Sequence, residues 1–247
     1  MTELPRLTPE QRTLVCAWLP DAELVADLSW EQMDTTVLHV RDDAGEYIVK
    51  AGGPENHHIG RERTAHLGYT GLWVEEGRGA RLLRYDEGGN LLLLDYLRGA
   101  LVQDTPAEGD PTVYRQAGAM LAEFHARGAR PDDDYEARMN QKMLDWLERP
   151  HRIAPEMAER LRAVLLSAKP EPVVLVPTHG DWQPRNWLID DGIVRAIDFG
   201  RFDWRPAFTD FARLAVRQFA AHPTLEAAFL DGYGPDPRTS ELWNILL

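Results

Sequence analysis

HGDWQPRNWLIDDGIVRAIDFG, residues 179–200, is the stretch from which the other segments of this 247-residue chain take their meaning. Among the oxygen-bearing side chains within it, Asp181, Asn186 and Asp198 are the three the reading turns on. The apolar pairs Trp187-Leu188 and Ile193-Val194 flank Asp190-Asp191-Gly192, and Asp-Gly supplies the positive φ that a tight hairpin turn requires. The spacing predicts two short strands that fold Asn186 and Asp198 back toward each other.

Side-chain oxygens gathered in this way suit phosphoryl transfer, where the protein does little covalent work and mainly positions groups and neutralises charge. Asp181 is the candidate catalytic residue, accepting or orienting the proton of an attacking hydroxyl. Asn186 and Asp198 are the candidate metal ligands, because hard oxygens are what Mg²⁺ prefers as it bridges nucleotide phosphates. The order His179, Asp181, Asn186 and then Asp198-Phe199-Gly200 has the spacing of a kinase catalytic loop and its metal-binding turn. Either piece alone arises by chance, and the plainer reading is a polar loop cluster in an ordinary α/β domain. Both pieces in order, with a hairpin between them, favour the chemical reading.

HGDWQPRN and IDFG resemble the short motifs of the aminoglycoside phosphotransferase family of small-molecule kinases, and the resemblance can be followed from about Leu24 to Gly234. It implies an α+β, two-lobed, protein-kinase-like fold. A β-rich N-terminal nucleotide-binding lobe would cover residues 1–96, and a mainly helical C-terminal lobe with catalytic loop and acceptor site would cover residues 97–247. It further implies ATP or GTP as phosphoryl donor, Mg²⁺ as cofactor and a small-molecule hydroxyl as acceptor.

Outward from the motif, the N-terminal half reads as follows. Thr8-Pro9-Glu10-Gln11 starts a helix with a capping box, and Leu14, Val15, Trp18 and Leu19 give it one apolar face. Residues 23–50 then carry strand-forming runs, the last two joined at Asp42-Asp43-Ala44-Gly45. Lys50 ends Tyr47-Ile48-Val49-Lys50, where a kinase-like lobe places the lysine that meets nucleotide phosphates. Glu62, on the following helical segment, is the candidate partner for its ammonium. By itself Lys50 would pass for an exposed strand end, and Glu62 for a local partner of Arg61 or Arg63. The turn that should cradle phosphates, Ser29 to Thr35, contains no glycine, which leaves Ser29 and Thr35 to donate through their side chains. Leu91 to Leu94 form a buried strand leading into a linker, and the resemblance makes Asp95 and Leu97 the candidates for backbone contacts to the nucleobase.

In the C-terminal half, Asp110-Pro111 opens a helix whose Val113, Ala117, Met120, Leu121 and Phe124 form a core stripe. Arg130 to Asp134 reads as a solvated charged turn, followed by helices over about Tyr135–Leu147 and about Pro155–Ser167. Asp210 is expected to brace the catalytic loop by accepting backbone N–H bonds. Arg201 has no assigned role at this level. His57-His58 reads as an exposed loop pair rather than a site. Asp198 and Asp210 lie too close in sequence for a long activation segment, and no arginine follows His179, so a protein kinase is not expected. Ser240 to Leu247 is an apolar segment that should be buried.

Composition narrows the partners. A net charge of −13 argues against a nucleic-acid partner, since phosphate backbones demand clustered lysine and arginine. The same balance points to a cationic acceptor such as an aminoglycoside, although acidity also serves solubility alone. The single Cys16 excludes a disulfide framework, and there is neither a membrane-spanning apolar run nor a leader-like N-terminus, so no membrane partner and a cytoplasmic location are expected. The oligomeric state is not legible. The rival from another class is a non-catalytic nucleotide-binding regulatory module, motivated by the glycine-free loop.

Overall fold

Branched and aromatic residues through the first hundred positions build one antiparallel five-stranded sheet, with residues 23–27, 35–41, 46–52, 91–95 and 82–86 lying side by side in that order. The computed structural model describes residues 4–31, 33–239 and Trp243. Helix α1 (Pro9–Trp18) begins at the expected capping box, with the Thr8 hydroxyl accepting from Gln11 N–H and the Gln11 side chain reaching back. It leads into β1 (Glu23–Asp27), β2 (Thr35–Arg41) and β3 (Glu46–Gly52). Two helices, α2 (His58–Gly68) and α3 (Gly71–Glu75), precede β4 (Leu82–Asp86) and β5 (Leu91–Asp95).

Register decides what this sheet does. Strands β3 and β5 pair so that Val49 meets Leu93 and Ala51 meets Leu91, and these four pack with Val15 of α1 and with Leu19 just beyond its end. Burying each such leucine contributes about 1.5–3 kcal/mol. The alternate positions, Ile48 opposite Leu94 and Lys50 opposite Leu92, therefore point to the other face. A slip of one residue would drive the Lys50 ammonium into the α1 core, so the apolar alternation fixes where that charge goes.

The second half begins with β6 (Ala100–Leu101) and α4 (Pro111–His125), whose start is capped by the Asp110 carboxylate accepting from Thr112 N–H at 2.8 Å. The chain continues through β7 (Arg130–Asp132), α5 (Tyr135–Leu147), α6 (Pro155–Ser167), β8 (Val173–Thr178), β9 (Trp187–Asp190), β10 (Ile193–Ala196) and β11 (Asp203–Pro206). A short α7 (Ala212–Leu214) runs into a π-helical turn, Ala215–Phe219, before α8 (Pro223–Tyr233). The expected hairpin is β9–β10, pairing Asp190 with Ile193, and its turn places Asp191 at φ 49° and Gly192 at φ 76°.

Two small sheets organise this lobe, β10-β9-β6 and β11-β8-β7. The stripe of α4 is buried as expected and packs with Trp182, Trp187, Phe199, Phe211 and Phe229. Ala65 of α2 and Trp73 of α3 belong to this larger core, so the helices that follow β3 anchor the N-terminal sheet to the helical half. Residues 130–132 differ from the expected solvated turn. They form β7 against β8, and the Arg130 guanidinium lies 3.5 Å from the centre of the Trp204 ring, which gives this charged run a packing partner. Of the apolar 240–247 segment, all but Trp243 lies outside the described residues; Trp243 is buried near Phe208, with ring centroids 6.2 Å apart.

Candidate active site

Between the sheet and the helical half lies a cavity of about 580 Å³, and Lys50, Glu62, Leu97, Asp181, Asn186 and Asp198 all line it. Lys50 is buried and donates to both oxygens of Glu62, at 2.7 and 2.9 Å, with Asp198 Oδ1 a further 3.6 Å from its Nζ. Burial works against the Lys50 ammonium, but Glu62 and then Asp198 outweigh it and hold its pKa above the ordinary value. Burial likewise opposes ionisation of Glu62, yet Lys50 and His66 pull its pKa down to about 2. The pair is ionised, and Arg61 and Arg63 are not its partners; Arg63 pairs with Glu87 at 2.8 Å.

The catalytic-loop candidate is held from behind. Gly180 has φ 79°, and a Cβ there would collide with the Arg201 carbonyl and the Arg205 guanidinium, so the turn tolerates glycine alone. Asp210 accepts from the N–H groups of His179 (2.8 Å) and Gly180 (2.6 Å) and meets His125 Nε2 at 3.1 Å, which is the bracing expected of it. His179 in turn sits 3.1 Å from the Ile197 carbonyl through Nε2. Asp198 takes φ 65°, the left-handed region that side chains other than glycine rarely adopt, and such strain recurs where a side chain is aimed for use. Phe199 packs against His66, Trp73, Phe124 and His179, tying α2, and with it Glu62, to the Asp198 turn.

The donor set fits Mg²⁺. Asn186 donates its amide to the Asp181 carbonyl at 2.8 Å, which leaves its Oδ1 free to accept, and the Asp198 carboxylate is half exposed at the cavity wall. Among the described residues no group of three or more His, Cys, Asp or Glu side chains is arranged to hold a metal. Two protein oxygens completed by phosphate oxygens and waters is the arrangement Mg²⁺ adopts beside nucleotides.

Not every expected residue reaches the cavity. Asp95 does not line it, and its N–H is already given to the Arg81 carbonyl at 3.0 Å, which leaves only its carbonyl for a base. Leu97 does line it, and among the described residues its N–H and C=O make no hydrogen bond. Of the two hydroxyls expected to donate to phosphate, Thr35 lines the cavity and Ser29 does not. The Ser29 hydroxyl accepts from Val37 N–H at 2.9 Å and the Thr35 hydroxyl accepts from the Asn56 amide at 3.0 Å, so both hold the loop's own shape. In place of a glycine cradle, Leu28, Trp30 and Met33 wall the cavity from this loop. His58 is also not a free loop residue: it opens α2, and its Nδ1 lies 2.7 Å from the Gly200 carbonyl, bridging to the turn after Asp198.

Sequence reasoning missed a ring of arginines around Asp181. Arg185 pairs with its Oδ2, Arg213 Nε lies 2.9 Å from Oδ1, and Arg201 Nε lies 3.9 Å from Oδ2. Gln183 donates to Oδ1 at 2.5 Å and itself accepts from Arg217 at 3.4 Å. Burial opposes the Asp181 charge, but Arg185 and then Arg213 hold its carboxyl below the usual range. Burial also lowers the pKa of Arg213, and repulsion from Arg201, Arg185 and Arg217 adds to that despite Asp181. The only sequence signal was spacing: Arg185 four residues beyond Asp181, and Arg213 and Arg217 four apart on one helical face.

With this geometry in hand, comparison with known proteins is informative. A model described as the phosphotransferase enzyme family matches residues 30–243. Among solved structures, an aminoglycoside-3'-phosphotransferase of type VIII is similar with a TM-score of 0.66 and 20% identity, over 96% of this chain and 97% of that one. Choline kinase LicA from Streptococcus pneumoniae is similar with a TM-score of 0.64 and 15% identity, over 95% and 82%. Macrolide 2'-phosphotransferase MphH from Brachybacterium faecium is similar with a TM-score of 0.62 and 17% identity, over 90% and 82%. At these identities the likeness is one of fold. No protein of curated function matches the sequence significantly.

Proposed function

The chain belongs to the phosphotransferase enzyme family, and from that premise we propose that it is a small-molecule kinase, moving the γ-phosphoryl group of ATP or GTP to a hydroxyl of a small acceptor. In this reading residues 1–96 form the nucleotide-binding lobe and residues 97–247 the lobe of the catalytic loop and acceptor site. The observation that carries the proposal is one cavity lined by the Lys50–Glu62 pair and Asp198 together with Asp181 and Asn186. Lys50, steadied by Glu62, neutralises phosphate oxygens, and the Leu97 backbone, with the Asp95 carbonyl behind it, offers the edge for the purine. Mg²⁺, held by Asn186 and Asp198, would neutralise charge on the β- and γ-phosphates.

The acceptor hydroxyl oxygen attacks the γ-phosphorus, the bond from that phosphorus to the bridging oxygen breaks, the nucleoside diphosphate leaves, and the hydroxyl proton passes to Asp181. With its carboxyl held well ionised by Arg185 and Arg213, Asp181 is a weak base and acts chiefly by orienting the hydroxyl. That suffices for a loose transition state, in which the nucleophile need not be deprotonated early. The acidic balance of the whole chain favours a cationic acceptor such as an aminoglycoside, but the charges nearest Asp181 oppose it.

The rival reading, a nucleotide-binding module without catalysis, draws on the apolar loop of Leu28, Trp30 and Met33, which lacks a phosphate cradle. Consumption of ATP and GTP measured against a panel of hydroxylated acceptors separates the two. Acceptor-dependent release of diphosphate supports the kinase, and tight nucleotide binding with no turnover on any acceptor supports the module.

A further inference from the structure

Three guanidinium groups share the Asp181 carboxylate at the centre of this site, and a fourth stands beside them on Gln183. Among the described residues, Arg185, Arg201 and Arg213 have Asp181 as their sole carboxylate partner, and Arg217 has none, bonding Gln183 at 3.4 Å instead. Such a surplus is costly unless something answers it, and it is the reverse of the chain's net charge of −13. It cannot be attributed to general surface composition.

The four arginines divide by position. Arg185 and Arg201 wall the cavity that also contains Lys50, whereas Arg213 and Arg217 do not. These two stand one turn apart, Arg213 on α7 and Arg217 on the π-helical turn, and reach Asp181 and Gln183 from outside that cavity. Arg217 is exposed and Arg213 is about a third exposed, so both are open to a ligand arriving beside Asp181. π-Helical turns frequently mark functional positions, because they re-aim a side chain that a regular helix would point elsewhere.

We propose that the acceptor carries an oxyanion, a carboxylate or phosphate group, near the hydroxyl to be phosphorylated, and that Arg213, Arg217 and Arg201 receive it. Planar guanidinium groups match such anions through paired N–H donors, and several together discriminate strongly against an ammonium-bearing acceptor. The substrate class is thus hydroxy acids or phosphorylated alcohols rather than aminoglycosides. This inference rests on the kinase reading above, and the experiment keeps the two apart.

Calorimetric titration with Mg·ADP first fills the nucleotide site. Absence of that binding defeats the kinase reading itself. The Mg·ADP complex is then titrated with malonate and, separately, with inorganic phosphate, at ionic strength matched with chloride. Saturable binding of either anion is expected, weakened about tenfold by Arg217→Gln and further by adding Arg213→Gln, as follows from losing charge-assisted hydrogen bonds. The variants should leave affinity for ADP and for a non-hydrolysable triphosphate within twofold. Nucleotide binding with no saturable anion binding overturns the inference alone. So does a variant that weakens the triphosphate but not ADP, because the arginines would then serve the transferred phosphoryl group. Turnover of a polycationic amino sugar in preference to its matched sugar acid overturns it as well.

Discussion

The two walls of the cavity handle charge in opposite ways. On the sheet side one lysine faces two carboxylates, Glu62 and Asp198, so an incoming cation between Asp198 and the phosphates completes a balanced set. On the catalytic-loop side one carboxylate meets three arginines, with a fourth on the neighbouring Gln183, and balance requires an incoming anion. The difference separates what serves a common phosphoryl donor from what serves a particular acceptor. Substitutions on each wall should fail in distinguishable ways.

The largest effect should come from Asp181. Asp181→Ala is expected to reduce acceptor-dependent diphosphate release by about 10²–10⁴-fold, the range for a positioned proton acceptor, with nucleotide affinity nearly unchanged. Full kcat in that variant would remove Asp181 from the mechanism and erase the distinction between the walls.

On the sheet side, Glu62→Ala strands the Lys50 ammonium in a buried position. A loss of about 3–5 kcal/mol in urea unfolding is expected, together with weakened nucleotide binding. A loss below about 1 kcal/mol would mean the pair behaves like an exposed one.

The pH dependence of that pair carries a definite sign. The Glu62 carboxyl is depressed from 4.5 to about 2 on folding, so its contribution to stability is complete above pH 4.5 and disappears as pH falls toward 2. The stability gap between the native protein and Glu62→Gln should therefore close across that window, and a gap constant from pH 5 to 2 would contradict the pairing.

The smallest effect belongs to Trp30, which is exposed and lies with its ring 5.3 Å from the Arg185 guanidinium. Trp30→Ala should leave the melting temperature unchanged and weaken nucleotide binding by only a few fold, about 0.5–1 kcal/mol for an exposed cation–π contact plus lost cover. A change of a hundredfold would promote this loop from cover to principal binding element.

How much of this was legible in the sequence follows the same division. The β9–β10 hairpin was readable because Asp191-Gly192 is a local turn signal, and the α4 stripe because its period is local. Lys50 and Glu62 are one connection apart in sequence, and pattern sufficed to suggest that they meet. The arginine ring is different: Arg213 reaches Asp181 because β8 and β11 pair and Asp210 clamps the loop, and no spacing rule reports a contact made by two separate crossings of the chain. β11 (Asp203–Pro206) and β7 (Arg130–Asp132) were missed for a related reason. They are short, charged and contain proline, so pairing in the tertiary structure, not propensity, makes them strands. Net charge does not report the arginines beside Asp181, because it averages over the surface, whereas recognition depends on the few groups within a Debye length of the ligand.

The most direct test of the central claim needs no acceptor. Affinity for ADP should be measured with and without Mg²⁺ in the native protein and in Asp198→Asn. The account predicts that Mg²⁺ tightens ADP binding in the native protein by at least about tenfold, and that Asp198→Asn loses most of that gain. Native affinity indifferent to Mg²⁺, or a gain that survives Asp198→Asn intact, would contradict it.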